Sequence, residues 1–133
     1  MPEVVVRPYR DGDEAALRRL AGEASTGAEV ALPAPDRDVV FVAEVEGEAA
    51  GYEALAHGSA AVRIDQLLVS PHHDDEGIER QLLAYAEGYA ISIGARLLEA
   101  VVEPDNGAAV TFYREQGFAE AAPGVVQLVL PQQ

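Results

Sequence analysis

The chain has 133 residues, a length that ordinarily buries one hydrophobic core, and its 49% apolar and 24% charged residues balance as in a folded protein; a single domain over 1–133 is expected. A formal net charge of -14, with all nine basic residues arginine, repels nucleic-acid phosphates and anionic lipid, so neither nucleic acid nor a membrane is an expected partner. The absence of cysteine excludes disulfides, thiolate metal sites and a cysteine nucleophile.

In chain order, the Val-rich run Glu3 to Tyr9 reads as a first strand closed by Pro8. Asp11 and Glu14 have capping-box spacing, and Ala16, Leu17, Leu20, Ala21 and Ala24 recur at helical spacing behind them. Residues 25–38, with Gly27, Pro33 and Pro35, read as a loop with at most a short helical turn. Val39 to Val45, Ala49 to His57 and Ala61 to Val69 then form a three-stranded antiparallel meander, turned at Glu46-Gly47-Glu48 and Gly58-Ser59. In the third of these strands Asp65, Leu67 and Val69 alternate with Ile64, Gln66 and Leu68.

Beyond Ser70-Pro71 and the polar cluster 72–76, Ile78, Leu82, Tyr85, Ala86, Tyr89 and Ile93 mark one face of a long helix that Gly94 ends. Leu97 to Val102 reads as a buried strand, and strand, helix, strand in this order predicts a parallel crossover. A short helix, Ala108 to Gln116, follows the break at Pro104 to Gly107, and Val125 to Leu130 is the last strand, with extra pairing expected around Phe118. The fold class is therefore α/β with a mixed sheet. The opening Met1-Pro2-Glu3 shows no basic leader, and no apolar run is long enough to span a bilayer, so a cytoplasmic location is expected.

Two segments carry a resemblance. One is Asn106-Gly-Ala-Ala109-Val-Thr-Phe112-Tyr113-Arg-Glu-Gln-Gly117-Phe118; the other is Leu67-Leu68-Val69-Ser70-Pro71 followed by Gly77-Ile78 and Leu82-Leu83. With the element order from about Val4 to Leu130, they resemble the GNAT family of N-acetyltransferases, which transfer an acetyl group from acetyl-CoA to an amine. The resemblance implies a mostly antiparallel sheet with one parallel β-α-β crossover, acetyl-CoA as acyl donor, and a primary amine of a small molecule or peptide as acceptor. It also implies donor contacts from Leu67, Leu68, Val69, Gly77, Ile78, Asn106, Ala109 and Tyr113. Tyr113 is the implied proton donor to the CoA sulfur, or else an aromatic on the inner face of its helix. Asp65 is the implied base for the amine, or else a solvated strand-edge carboxylate. Asn106 either touches the donor or caps the helix that follows it.

One departure bears on function. In the family, the loop before the long helix carries a basic residue and glycines, whose exposed amides and helix dipole receive the pyrophosphate. Here Asp74, Asp75, Glu76 and Glu79 occupy that region and only Gly77 keeps the pattern. Like charges ~4 Å apart cost about 1 to 4 kcal/mol each between bulk water and a partly shielded surface, enough to remove binding. The same acids also complement a helix N-terminus. A second reading therefore stands beside the enzyme: a non-catalytic GNAT-fold interaction module that no longer binds acetyl-CoA. His72-His73 with Asp74-Asp75 lacks further ligands at helical spacing, so no metal is expected. No Gly-x-Ser-x-Gly elbow or P-loop is present. Edge strands of such a sheet could pair between copies, which makes a homodimer an expectation as well.

Overall fold

A computed structural model describes residues 3–24, 32–58, 60–73, 77–103 and 105–131. Its elements are β1 (Val4–Pro8), α1 (Glu14–Ala24), β2 (Val39–Val45), β3 (Glu48–His57), β4 (Ala61–Val69), a single 3₁₀ turn (Pro71–His73), α2 (Ile78–Ser92), β5 (Leu97–Val101), α3 (Gly107–Glu115), β6 (Ala119–Ala122) and β7 (Val125–Val129). The sheet order is β1-β2-β3-β4-β5-β7-β6; β4 and β5 run parallel, and the pairs β1–β2, β2–β3, β5–β7 and β6–β7 are antiparallel. This is the mixed, mostly antiparallel sheet with a β-α-β crossover that the sequence predicts, and β6 supplies the pairing expected beside Phe118.

The chain divides into two compact units, residues 1–55 with 66–85 and residues 56–65 with 86–133. In the first, Leu17 and Leu20 of α1 pack on Val40, Val42, Tyr52 and Ala54. A second cluster joins Ala43, Val45 and Ala50 to Ile78 and Leu82 of α2. In the other unit the even-numbered side chains Val62, Ile64, Leu98, Ala100 and Val126 are buried, as the alternation of a half-covered sheet requires.

Three local expectations are corrected. The helix after β1 starts at Glu14, with Asp13 rather than Asp11 at the position before it: the Asp13 carbonyl accepts the Leu17 N–H at 3.0 Å, while its carboxylate accepts the Arg10 backbone N–H at 2.9 Å and both Arg7 terminal nitrogens at 2.8 and 2.9 Å. The Arg7 ion pair thus fixes Asp13 at the helix start in place of the expected capping box. Second, the buried face of α2 is Ile78, Leu82, Leu83, Ala86 and Ala90, whereas Tyr85 and Ile93 are 41% and 43% exposed. Small alanines let the helix sit close to its support, and the long Tyr85 lies at the edge with its ring 4.7 Å from that of Phe41. Third, β5 is buried on one side only, with Val101 58% exposed. Residues 25–31 and 74–76, which carry part of the expected loop and the acids Asp74, Asp75 and Glu76, lie outside the described residues.

Candidate functional site

In the first unit, Leu67, Leu68 and Val69 end β4 in a half-buried run where the strict in-out burial of Val62 to Asp65 lapses. Leu67 and Val69 pack on the cluster that holds Ile78, while Leu68 packs on the cluster that holds Tyr52. Tyr52 donates its hydroxyl to Gln66 Oε1 at 2.7 Å, and burial pushes its phenol up to about 12, so it remains a donor across the working pH range. Ser70 is buried, donates its N–H to the Ala50 carbonyl at 2.8 Å and turns the chain away from the sheet. The predicted donor-contacting residues Leu67, Val69 and Ile78 therefore share one packed cluster.

Gly77 precedes α2 at φ +77, a left-handed conformation that glycine adopts without strain, and among the described residues a Cβ built on it would meet nothing within 4 Å. Its carbonyl accepts the Gln81 N–H at 3.1 Å, so the helix winds directly out of it. The first turn of α2 carries both a carboxylate, the half-buried Glu79, and a cation, the exposed Arg80. The motif comparison missed Arg80 because it sought the cation before Gly77, whereas the only arginine between Arg63 and Arg96 stands after it. Open space at a glycine, helix N-terminal amides and an arginine are groups that fit a pyrophosphate.

In the second unit, Asp65 is one-third exposed, and its Oδ1 accepts from Arg63 Nε at 2.5 Å. It is thus an ion-paired carboxylate on the open side of β4. Asn106 caps α3: its Oδ1 accepts the Ala109 N–H at 3.1 Å, which brings two of the expected donor-contacting residues together as a cap. Tyr113 is the buried residue of α3, 7% exposed, with its ring centroid 5.3 Å from Phe112 and 5.1 Å from Phe118. The Phe118 N–H donates to the Tyr113 carbonyl at 3.0 Å, and Gly117 takes φ +97 between them. This explains the Tyr-x-x-x-Gly-Phe spacing as a helix stop that returns Phe118 onto the tyrosine ring. Of the predicted site residues, Leu67, Leu68, Val69, Gly77 and Ile78 belong to the first unit, and Asp65, Asn106, Ala109 and Tyr113 to the second.

His72 Nε2 lies 3.4 Å from Glu23 Oε2 on the exposed 3₁₀ turn, and among the described residues no group of three or more His, Asp or Glu is placed to hold a metal ion. No helix among them is long and apolar enough to cross a membrane.

The sheet order, the parallel β4–β5 pair and the open helix start describe an acyl-CoA N-acyltransferase type of α/β protein. Residues 8–118 match the acetyltransferase (GNAT) family, and the chain belongs to that family. It is 32% identical over 92 residues to an uncharacterized N-acetyltransferase of Methanocaldococcus jannaschii, covering 64% of this chain and 41% of the relative. It is 31% identical over 96 residues to an uncharacterized N-acetyltransferase of Archaeoglobus fulgidus, covering 67% and 65%. The chain thus spans less than two thirds of the length of both relatives. Its fold also superimposes on that of yncA from Salmonella typhimurium, solved with its cofactor acetyl-CoA, with a TM-score of 0.79 at 20% identity, covering 98% and 96% of the two chains.

Proposed function

We propose that the chain, acting as one domain, transfers an acetyl group from acetyl-CoA to a primary amine of a small molecule or peptide. The observation that carries this reading is the start of α2, where Gly77 takes φ +77 ahead of a 15-residue helix and the first turn carries Arg80 next to Glu79. The helix start and Arg80 would receive the donor's pyrophosphate, with Leu67 to Val69 and Ile78 lining its way. Arg80 is the cation set against Asp74, Asp75, Glu76 and Glu79 in this segment, and the reading requires it to reach the pyrophosphate.

Asp65 is assigned the role of accepting the proton of the acceptor ammonium, directly or through water, and Tyr113 that of returning a proton to the departing thiolate. Arg63 fixes the orientation of the Asp65 carboxylate. Asn106 is assigned a cap role, shaping the start of α3 and thereby the placement of Ala109 and Tyr113. The interaction-module reading finds no support in the family relationship, whose members at this level of similarity are named as acetyltransferases. A cytoplasmic location remains part of the proposal, and so does a homodimer.

The test is direct. Purified protein with acetyl-CoA and a panel of primary amines should release CoA in an amine-dependent manner, and acetyl-CoA should raise Tm. An unchanged Tm at millimolar acetyl-CoA would overturn the reading.

A further inference from the structure

The second unit presents an open sheet face whose side chains form three rows. Parallel pairing sets Ala61 beside Leu97 and Arg63 beside Glu99, and antiparallel pairing sets Val129 beside Leu97, Gln127 beside Glu99 and Val125 beside Val101. The even-numbered neighbours of these residues are the buried ones, so the odd-numbered set points the other way; within it Val101 is 58% and Val129 78% exposed. The first row is Ala61, Leu97 and Val129, the second Arg63, Glu99 and Gln127, and the third Val101 and Val125. Asp65, two residues beyond Arg63 on the same face of β4, stands level with the third row.

The charges in these rows are unequal. Arg63 is joined to Asp65, and half-buried Glu99 accepts a hydrogen bond from the Gln127 amide at 2.5 Å, which orients its carboxylate without neutralising it. One arginine against two carboxylates leaves the face one negative charge in excess. Beyond the first row, the surface opens into a hollow of about 660 Å³ lined by Ala60, Arg96, Leu97, Val129 and Leu130, whose only charged residue is an arginine. Among the described residues of these rows, Asp65 is ion-paired with Arg63 and Glu99 is the carboxylate held only by an uncharged partner, which makes Glu99 the seat for an added cation.

If Asp65 takes the proton from the acceptor, as proposed above, the reacting nitrogen must come to the third row and the rest of the acceptor must lie on this open face. We infer that the acceptor is a small amine carrying a second cationic group, with its reacting nitrogen at Asp65 and its second cation at Glu99. Glu99 lies on β5 opposite Arg63, so Asp65 stands one strand across and two residues along from it, a diagonal of about 7–8 Å that sets the span between the two nitrogens. A carboxylate at the second position would meet Glu99 and be rejected, and an uncharged end would leave the excess charge unmatched.

This inference rests on the acetyl-transfer reading, and the experiment separates the two. Initial rates of CoA release are measured for 1,5-diaminopentane, pentylamine and 5-aminopentanoate, with acetyl-CoA binding followed separately by calorimetry. For the unmodified chain, kcat/KM should favour the diamine over pentylamine by about tenfold, beyond the factor of about two from its equivalent nitrogens, and 5-aminopentanoate should be poorest. Glu99→Gln, which keeps a group able to bond Gln127, should collapse the diamine-to-pentylamine ratio to about two. Glu99→Asp, which keeps the charge, should retain a preference for the diamine. Equal use of the three amines, a ratio indifferent to Glu99→Gln, or acetyl-CoA binding without turnover of any of them would overturn the inference and leave acetyl transfer standing. Failure to bind acetyl-CoA would instead overturn the reading beneath it.

Discussion

A Cβ placed on Gly51 would lie 2.7 Å from the carbonyl oxygen of Leu68 and 3.2 Å from the Ile78 side chain. Backbone of β4 and side chain of α2 thus close on one glycine of β3, in the cluster that also supports Leu67 and Val69. The carbonyl cannot swing aside as a flexible side-chain end could, so Gly51→Ala must move β4 or α2. It should destabilise the protein by about 1–3 kcal/mol. Urea unfolding followed by circular dichroism would measure this as a fall in midpoint at unchanged slope.

Glu53 lies fully buried in β3, opposite Phe41 of β2, with neither carboxylate oxygen hydrogen-bonded. Burial pushes its carboxyl up from 4.5 to about 9, so the folded chain binds a proton there that the unfolded chain releases. The stabilisation linked to that proton is fully present below pH 4.5 and is lost as pH rises toward about 9. Between pH 4.5 and 7 the loss is about 3 kcal/mol. Glu53→Leu should therefore be more stable than the unmodified chain at neutral pH, by a margin that grows up to about pH 9. Equal pH dependence of the two unfolding free energies would contradict this assignment.

The opposite sign applies at Asp13. The Arg7 guanidinium, held in a two-bond pair with it, keeps the Asp13 carboxyl below its ordinary 3.8, and the Arg10 N–H adds to the effect. That contribution is present above pH 3.8 and is lost as pH falls through the lower folded value. Asp13→Asn should cost about 2 kcal/mol at pH 7, through loss of the charge in the partly buried pair with Arg7. The difference from the unmodified chain should shrink in acid, which unfolding at a series of pH values would show.

Tyr113→Phe retains the ring that packs between Phe112 and Phe118 and removes only the hydroxyl. It should lower kcat by about 10²-fold or more while changing Tm and acetyl-CoA affinity little, the pattern of a group needed in the chemical step alone. An unchanged kcat would leave Tyr113 as a packing residue.

Much of this architecture was legible in the sequence, because β-branched runs, glycine turns and helical spacing agree along the chain. The Tyr113 to Phe118 spacing was legible too, since it encodes a helix stop and an aromatic contact that both act locally. What escaped depends on partners distant in sequence. Asp13 is preferred to Asp11 because Arg7 and Arg10 reach it. The face of α2 is set by alanines at 86 and 90 rather than by the larger tyrosines, since packing rewards close approach as well as apolar area. Glu53 stood among apolar neighbours in plain sight, but alternation alone does not say that both faces of β3 are covered. Arg80 was overlooked because a fixed motif ties charge to one position, whereas a pyrophosphate responds to charge wherever it lies within reach.

Calorimetric titration with acetyl-CoA at low and high salt, for the unmodified chain and Arg80→Ala, tests the central claim most directly. The account predicts saturable binding of one acetyl-CoA per chain, weakened about fivefold or more by Arg80→Ala at low salt, with the difference shrinking as salt is added. Absence of binding at millimolar acetyl-CoA in both salts would contradict it.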